Sequence, residues 1–332
     1  MLGGAHMRRI VKGSIRSILA TAVAAFGVAA AAITPASAQI QFVSPYPPGG
    51  ITDIVSRTLA DGLSKSLNQT VIVLNKPGAN GMIGSDYAAK SAPDGKTLLL
   101  VAAAHAINPS MHARMAYDPF KDLVGVSLIG KTGPVIFASA KLPITTMQEL
   151  VAYAKKHPGK VTYGSSGVGS GAHLVGELLC QTLGIDMTHV VYKGSEAALI
   201  DLFNGELSLF INTVQTWAQH GSSGKLRALA IGSAARWPRA PDIPTLDETV
   251  APGMVADSFL GVLAPAGTPA AAVDTYSKTI AAIIARKDVT ERLMDYGIEP
   301  TGSTPAAFDA FIASEAKKWG DLIRARNIKP DR

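Results

Sequence analysis

Ser44-Pro45-Tyr46-Pro47-Pro48-Gly49-Gly50-Ile51-Thr52-Asp53 decides the fold, because an extended run stops at a stiff Pro-Gly turn and a helix begins at once. Each proline fixes its own φ and biases the preceding residue to extended geometry. Gly49 and Gly50 then allow whatever φ the turn demands. Beyond them the apolar positions Ile51, Ile54, Val55, Leu59 and Leu63 follow helical spacing. A helix N-terminus, with unpaired N–H groups and a partial positive charge, therefore stands directly behind the glycines. A small anion such as a carboxylate is the natural guest of such a turn. Asp53 lies in the first helical turn, where its charge suits the dipole and caps amides. Its reading is structural, since a carboxylate there would repel an anionic guest.

Upstream, Arg8, Arg9, Lys12 and Arg16 precede an Ala-rich apolar run from Ile18 to Ile33 that ends in Ala36-Ser37-Ala38. These are the three parts of an export signal, which places the mature N-terminus at Gln39 and the start at Met1 or Met7. The basic character of the chain comes mostly from this segment. Of 31 Lys and Arg against 25 Asp and Glu, four basic and no acidic residues lie in positions 1–38, leaving 27 against 25. A nearly neutral mature chain lacks the electrostatic footprint of a nucleic-acid binder. Cys180, the only cysteine, sits beside Leu178 and Leu179 in a helical pattern and reads as a buried structural thiol. The seven histidines show no metal-ligand spacing, so neither metal nor cofactor is expected.

Downstream, short β-rich runs alternate with helical ones, the pattern of α/β layers. The 294 residues after position 38 suffice for two lobes. Residues 39–140 form the first part of lobe one, 141–257 lobe two, and 258–332, mostly helical, return to lobe one. Two chain crossings and a ligand cleft follow from this arrangement. Thr268 and Pro269 are placed as N-cap and first residue of a helix from Ala270 to Arg286.

Ligands of open α/β sheets bind outside the carboxyl ends of strands, so the loops there carry the candidates. In lobe one these are Tyr46, Pro48, Gly49, Gly50 and Thr52 of the opening turn, Asn80 and Gly81 of a second glycine loop, and Ala104 and His105 after an apolar strand. His105 is either a ligand contact or a locally bonded structural residue. In lobe two the run from Tyr163 to His173 joins a strand to a helix, and Ser165, Ser166, Gly167 and Ser170 make it rich in hydrogen-bond donors. Tyr192, Lys193 and Gly194 follow another strand, with Lys193 either facing the cleft or solvated. Asn212 and Thr213 complete the polar lining, and nearby Trp217 is a pocket wall or part of a helix packing face.

Gly167 to Ala172 also satisfies the loose glycine pattern of dinucleotide folds. A nucleotide-cofactor enzyme is the alternative this raises. It weakens at the next strand, which ends in Lys193-Gly194 where a ribose wants an acid. No G-x-S-x-G elbow occurs either.

Several ordered blocks make the chain resemble the periplasmic solute receptors of the tripartite tricarboxylate transporter family, also called Bug receptors. They include Pro45-Tyr46-Pro47-Pro48-Gly49-Gly50, Asn75-Lys76-Pro77-Gly78-Ala79-Asn80-Gly81, Ala92-Pro93-Asp94-Gly95-Lys96-Thr97, Tyr163-Gly164-Ser165-Ser166-Gly167, Tyr192-Lys193-Gly194 and Leu263-Ala264-Pro265-Ala266-Gly267-Thr268-Pro269. The resemblance implies a type II periplasmic-binding-protein fold closing on a small carboxylate: a di- or tricarboxylate, an aromatic acid or an amino acid. It implies delivery to the permease subunits of a tripartite transporter by a monomeric receptor without catalysis. It assigns the grip to Tyr46–Gly50 and Ser165–Gly167. A receptor feeding a signalling partner is the second alternative. Asn212 to Trp217 replaces a more usual acidic, proline-bearing stretch, which bears on ligand preference.

Overall fold

The computed structural model describes residues 39–330, so the segment read as an export signal lies outside the described residues. The opening turn connects β1 (Ile40–Ser44) to α1 (Ile51–Leu67), with the boundaries its apolar spacing predicts. Val55, Leu59 and Leu63 of α1 are buried, and Asn68 ends the helix in the left-handed conformation with φ of 52°. Next come β2 (Val71–Asn75), α2 (Met82–Ala89), β3 (Thr97–Ala102), α3 (Ala104–Met111) and β4 (Leu123–Thr132). Helix α3 occupies the residues expected to be a loop. The helix carries Pro109 inside it because Ala106, Ile107 and Met111 bury their side chains.

Gly133 alone separates β4 from β5 (Pro134–Ser139), which opens a second sheet. There follow α4 (Met147–Lys156), β6 (Val161–Ser165), α5 (Gly171–Leu183), β7 (Met187–Val191), α6 (Ser195–Asn204), β8 (Leu209–Thr213), α7 (Val214–His220) and β9 (Leu226–Ile231). The stretch from 232 to 257 holds the single-turn helix α8 (Leu246–Thr249), closed by a capping box between Thr245 and Glu248. The chain then re-enters the first sheet as β10 (Ser258–Pro265) and ends in α9 (Ala270–Ile284), α10 (Lys287–Asp295), β11 (Glu299–Pro300) and α11 (Pro305–Ala325). At the start of α9 the cap differs from the sequence expectation. Pro269 is itself the N-cap, and the Thr268 hydroxyl donates back to the Pro265 carbonyl.

The first sheet has the order β11-β4-β10-β3-β1-β2 and the second β7-β6-β8-β5-β9. Each is mixed. β1 runs parallel to β2 and β3, while β10 lies antiparallel between β3 and β4. In the second sheet β6 is parallel to β7 and β8, and β5 is antiparallel to β8 and β9. The two passages between the sheets are tied together, since the Gly232 amide donates to the Pro134 carbonyl and the Ala256 amide to the Gly232 carbonyl.

One apolar cluster covers a face of the first sheet through Phe42, Leu98, Leu100, Val262 and Ile280, and another a face of the second through Val135, Phe137, Leu202 and Phe210. A third runs from Leu99 and Phe259 through Phe308 and Trp319 of α11 to Tyr163 and Leu174, joining the remaining faces. Helix α11 thereby touches both sheets' layers. Just past its end, the Arg326 guanidinium pairs with Glu177 of α5 at 2.6 Å.

Candidate functional site

The opening turn is held from beneath. The Asp53 carboxylate accepts from the Gly49 amide at 3.0 Å, from Arg57 at 2.9 Å and from the Asn75 side chain at 2.9 Å, and Asn75 also donates to the Tyr46 carbonyl. The Arg57 hydrogen bond, with the Gly49 and Asn75 contacts adding to it, outweighs burial and holds this carboxyl at about 2. Asp53 is thus the clamp that gives Gly49 its φ of 86°. Pro47, Pro48, Gly49 and Gly50 are exposed above it. The Tyr46 hydroxyl lies next to Gly81, and burial together with Tyr117 pushes it up to about 12. Asn80 is exposed, and it and the buried Asn108 exchange two hydrogen bonds.

His105 is turned away from this edge. It is buried beside Phe120, Leu123 and Ile312, and burial lowers its ring to about 4. It lies outside the lining of the cavity described below. Ala104 begins α3, one residue beyond Ala103, which does line the cavity described below.

In the second sheet's layer, the loop from β6 to α5 rests on a ring stack. His173 and His189 stack at 4.1 Å and Tyr163 lies over His189 at 5.1 Å. Ser165 is buried, and its hydroxyl is engaged by His189 at 2.6 Å and by the Gly167 amide at 3.1 Å. It therefore shapes the loop instead of facing a guest. The Gly169 amide donates to His173 Nδ1 at 3.0 Å, which leaves the ring proton on Nε2, toward Glu177. Gly176 lets α5 lie against the Tyr163 ring, where a Cβ would come within 2.2 Å of Cε2. The outcome is a helix whose start is fixed in position. Ser170 caps it by accepting from the His173 amide, so the amides of Gly171 and Ala172 have no intrahelical partner.

These elements open onto a cavity of about 260 Å³. Ser166, Ser170, Gly171 and Ala172 supply its donor-rich wall, with Asn212 and Thr213 beside them at the end of β8. Ala103 and Ile107 come from lobe one, Trp319 from α11, and Thr132, Pro134, Asp257 and Ser258 from the two passages between the sheets. Of the residues expected from sequence, the cavity gathers Ser166, Ser170, Asn212 and Thr213. The turn Tyr46–Gly50 with Thr52, the pair Asn80–Gly81 and Gly167 are not in its lining. Tyr192 donates to Asp201 and packs with the cluster on the other face of the second sheet, while Lys193 and Gly194 are exposed. Trp217 packs with that same cluster.

Sequence reasoning missed Thr132, Asp257 and Trp319. Asp257 is 7% exposed, and its Oδ1 receives no hydrogen bond from any described residue. Burial pushes this carboxyl up to about 6, opposed by Lys131 and Lys318 and assisted by Glu315 and Glu299. A carboxyl raised from 3.8 to about 6 on folding is a charge the native state holds at a cost above pH 6. That cost fades as the pH falls toward 3.8. Asp257→Asn is expected to stabilise the protein by about 1–2 kcal/mol at pH 7.5 and by close to nothing at pH 4. Urea unfolding of both proteins at the two pH values checks this, and a constant difference would refute it. His105 has the opposite dependence. Its neutral buried ring contributes stability above 6.5 that is lost as the pH falls through about 4.

Residues 55–328 match the family described as the tripartite tricarboxylate transporter family receptor. The protein BugT of Bordetella pertussis is 36% identical over 317 residues, covering 94% of this chain and 97% of its own. Among solved structures, Rpa4515 of R. palustris with adipate has a TM-score of 0.75 at 33% identity, covering 88% of this chain and 98% of its own. MatC of Rhodopseudomonas palustris with bound malate has a TM-score of 0.71 at 27% identity, covering 86% and 98%.

Proposed function

The chain belongs to the tripartite tricarboxylate transporter family of receptors, and from that premise we propose that it is an exported, monomeric receptor, cleaved near Ala38, that captures a small organic carboxylate and hands it to membrane permease subunits. The observation that carries this reading is the start of α5. Two free amides, two serine hydroxyls and the positive end of a helix dipole converge on a cavity walled by both sheets' layers. The adipate and malate held by two solved relatives are guests of the same chemical class.

In this reading the ligand carboxylate meets Ser166, Ser170 and the amides of Gly171 and Ala172, with Asn212 and Thr213 alongside. The turn Tyr46–Gly50 closes over it from the other lobe, and Gly167, whose amide is held by the Ser165 hydroxyl, shapes the loop beside it. Closure follows as a population shift, because contacts to both lobes exist only when they converge. Binding and release need no bond-making chemistry, so the protein is no enzyme.

The test is a thermal-shift and calorimetric screen of residues 39–332 with di- and tricarboxylates, aromatic acids, amino acids, sugars and nucleotides. Carboxylates are expected to bind with one site per chain. A saturating ligand at a hundredfold its Kd adds about 2.7 kcal/mol of stability. Protection by sugars or nucleotides alone would sink the proposal.

A further inference from the structure

We infer that the cavity is built for a zwitterion, a ligand whose carboxylate meets the start of α5 while its ammonium lies against Asp257 and Thr132. The inference rests on the receptor reading above and narrows the class of carboxylate. Two polar side chains in the lining each carry a buried atom without a partner: Asp257 Oδ1 and Thr132 Oγ1 accept or donate no hydrogen bond among the described residues. They are neighbours, since Thr132 at the end of β4 pairs with Ser258, the residue after Asp257, at the start of β10. A buried, unpaired carboxylate is costly unless a cation or donor meets it.

The protein's own cations do not meet it. Lys318 is engaged with Glu315 at 2.7 Å, and Lys131 stands over the Phe311 ring at 4.9 Å. No described lysine, arginine or histidine lies within ion-pair distance of Asp257. Its missing partner belongs to the guest. A primary ammonium offers three N–H donors, and the Asp257 carboxylate and the Thr132 hydroxyl offer acceptors for them. Ser258 lines the same space.

The opposite wall selects the opposite charge. Helix α5 presents amides and hydroxyls without a carboxylate among them, so a single small cavity holds a cation-seeking end and an anion-seeking end. A dicarboxylate would satisfy only the second. Its other carboxylate would face Asp257 as a like charge, which is unfavourable at neutral pH. Specificity against it comes from repulsion as much as from attraction.

Calorimetric titration of residues 39–332 at pH 7.5 with matched probes tests this. L-norvaline is compared with pentanoate, which lacks the amine, and 5-aminopentanoate with glutarate, which replaces the amine by a second carboxylate. In at least one pair the amino acid is expected to bind tenfold or more tightly than its partner. Asp257→Asn should erase that preference by weakening the amino acid at least tenfold while the acid partner binds unchanged or better. Asp257→Glu, which restores the charge, should restore the preference in part. Thermal unfolding shows that each variant is folded. Equal or tighter binding of pentanoate and glutarate, or an amine preference that survives in the asparagine variant, overturns the zwitterion inference and leaves the receptor reading standing. Binding by none of the four, together with no carboxylate hit in the wider screen, overturns both.

Discussion

Ala172→Asp leaves α5 folded and lowers carboxylate affinity at least 100-fold. The residue is the second of the helix, behind the Ser170 cap and Gly171, and it lines the cavity. An acid in the first turn of a helix is favourable for the helix itself, by a few tenths to about 1 kcal/mol. The same carboxylate would occupy the positive potential offered to the guest and oppose its charge. A 100-fold loss corresponds to about 2.7 kcal/mol, which one like charge at close range in a partly buried site supplies. Titration with the tightest carboxylate from the screen reads the affinity, and thermal unfolding reads the fold. An unchanged melting temperature beside an affinity within threefold of the parent would show that the guest does not sit at the α5 start. Ala172→Asn separates charge from bulk, and its loss should be at least tenfold smaller.

Gly261→Ala destabilises the protein by about 3 kcal/mol, the upper part of the range for overpacked cores. Gly261 lies in β10 between β3 and β4, next to a register shift, and the ring of Phe308 rests on it. A Cβ would come within 2.0 Å of Phe308 Cζ. The ring has little freedom to yield, since Phe308 is fully buried and meets Phe259 edge-on at 6.1 Å. The added methyl must therefore displace α11, the helix that touches both layers. Phe308→Leu in the same chain removes part of the clash and is expected to recover about 1–2 kcal/mol relative to additivity. Denaturant unfolding of the two single variants and the double variant measures the coupling. Strictly additive effects would mean that the glycine is required for some other reason.

Local signals in this chain are legible where the backbone chemistry is itself local. The Pro-Gly turn and the spacing from Ile51 to Leu63 give α1 its boundaries. One wall of the cavity follows from the same kind of signal, because Ser166 and Ser170 sit on a strand-loop-helix unit whose chemistry is written in consecutive residues. The facing wall is not local. Thr132 and Asp257 lie 125 positions apart and meet only because β4 and β10 pair across the point where the chain passes between sheets. Along the sequence Asp257 looks like an ordinary acid ahead of an apolar strand. His105 and Ser165 were legible as polar loop residues but not as inward-turned ones. Whether a side chain at or just past a strand end faces outward depends on what packs beneath it, here Phe120 for one and His189 for the other.

The position of β10 also sets an order of assembly. The second sheet is made from one uninterrupted stretch, residues 134–231, whereas the first cannot join β4 to β3 until residues 258–265 are inserted between them. A chain that emerges from its N-terminus therefore holds β1, β2 and β3 with one flank of β3 unpaired while the entire second layer is already available to fold. The late strand must find its place between two early ones, a long-range pairing of the kind that slows folding. The first sheet stays open until nearly four-fifths of the chain has emerged, and β11 joins its edge later still, a delay that would suit the export proposed above.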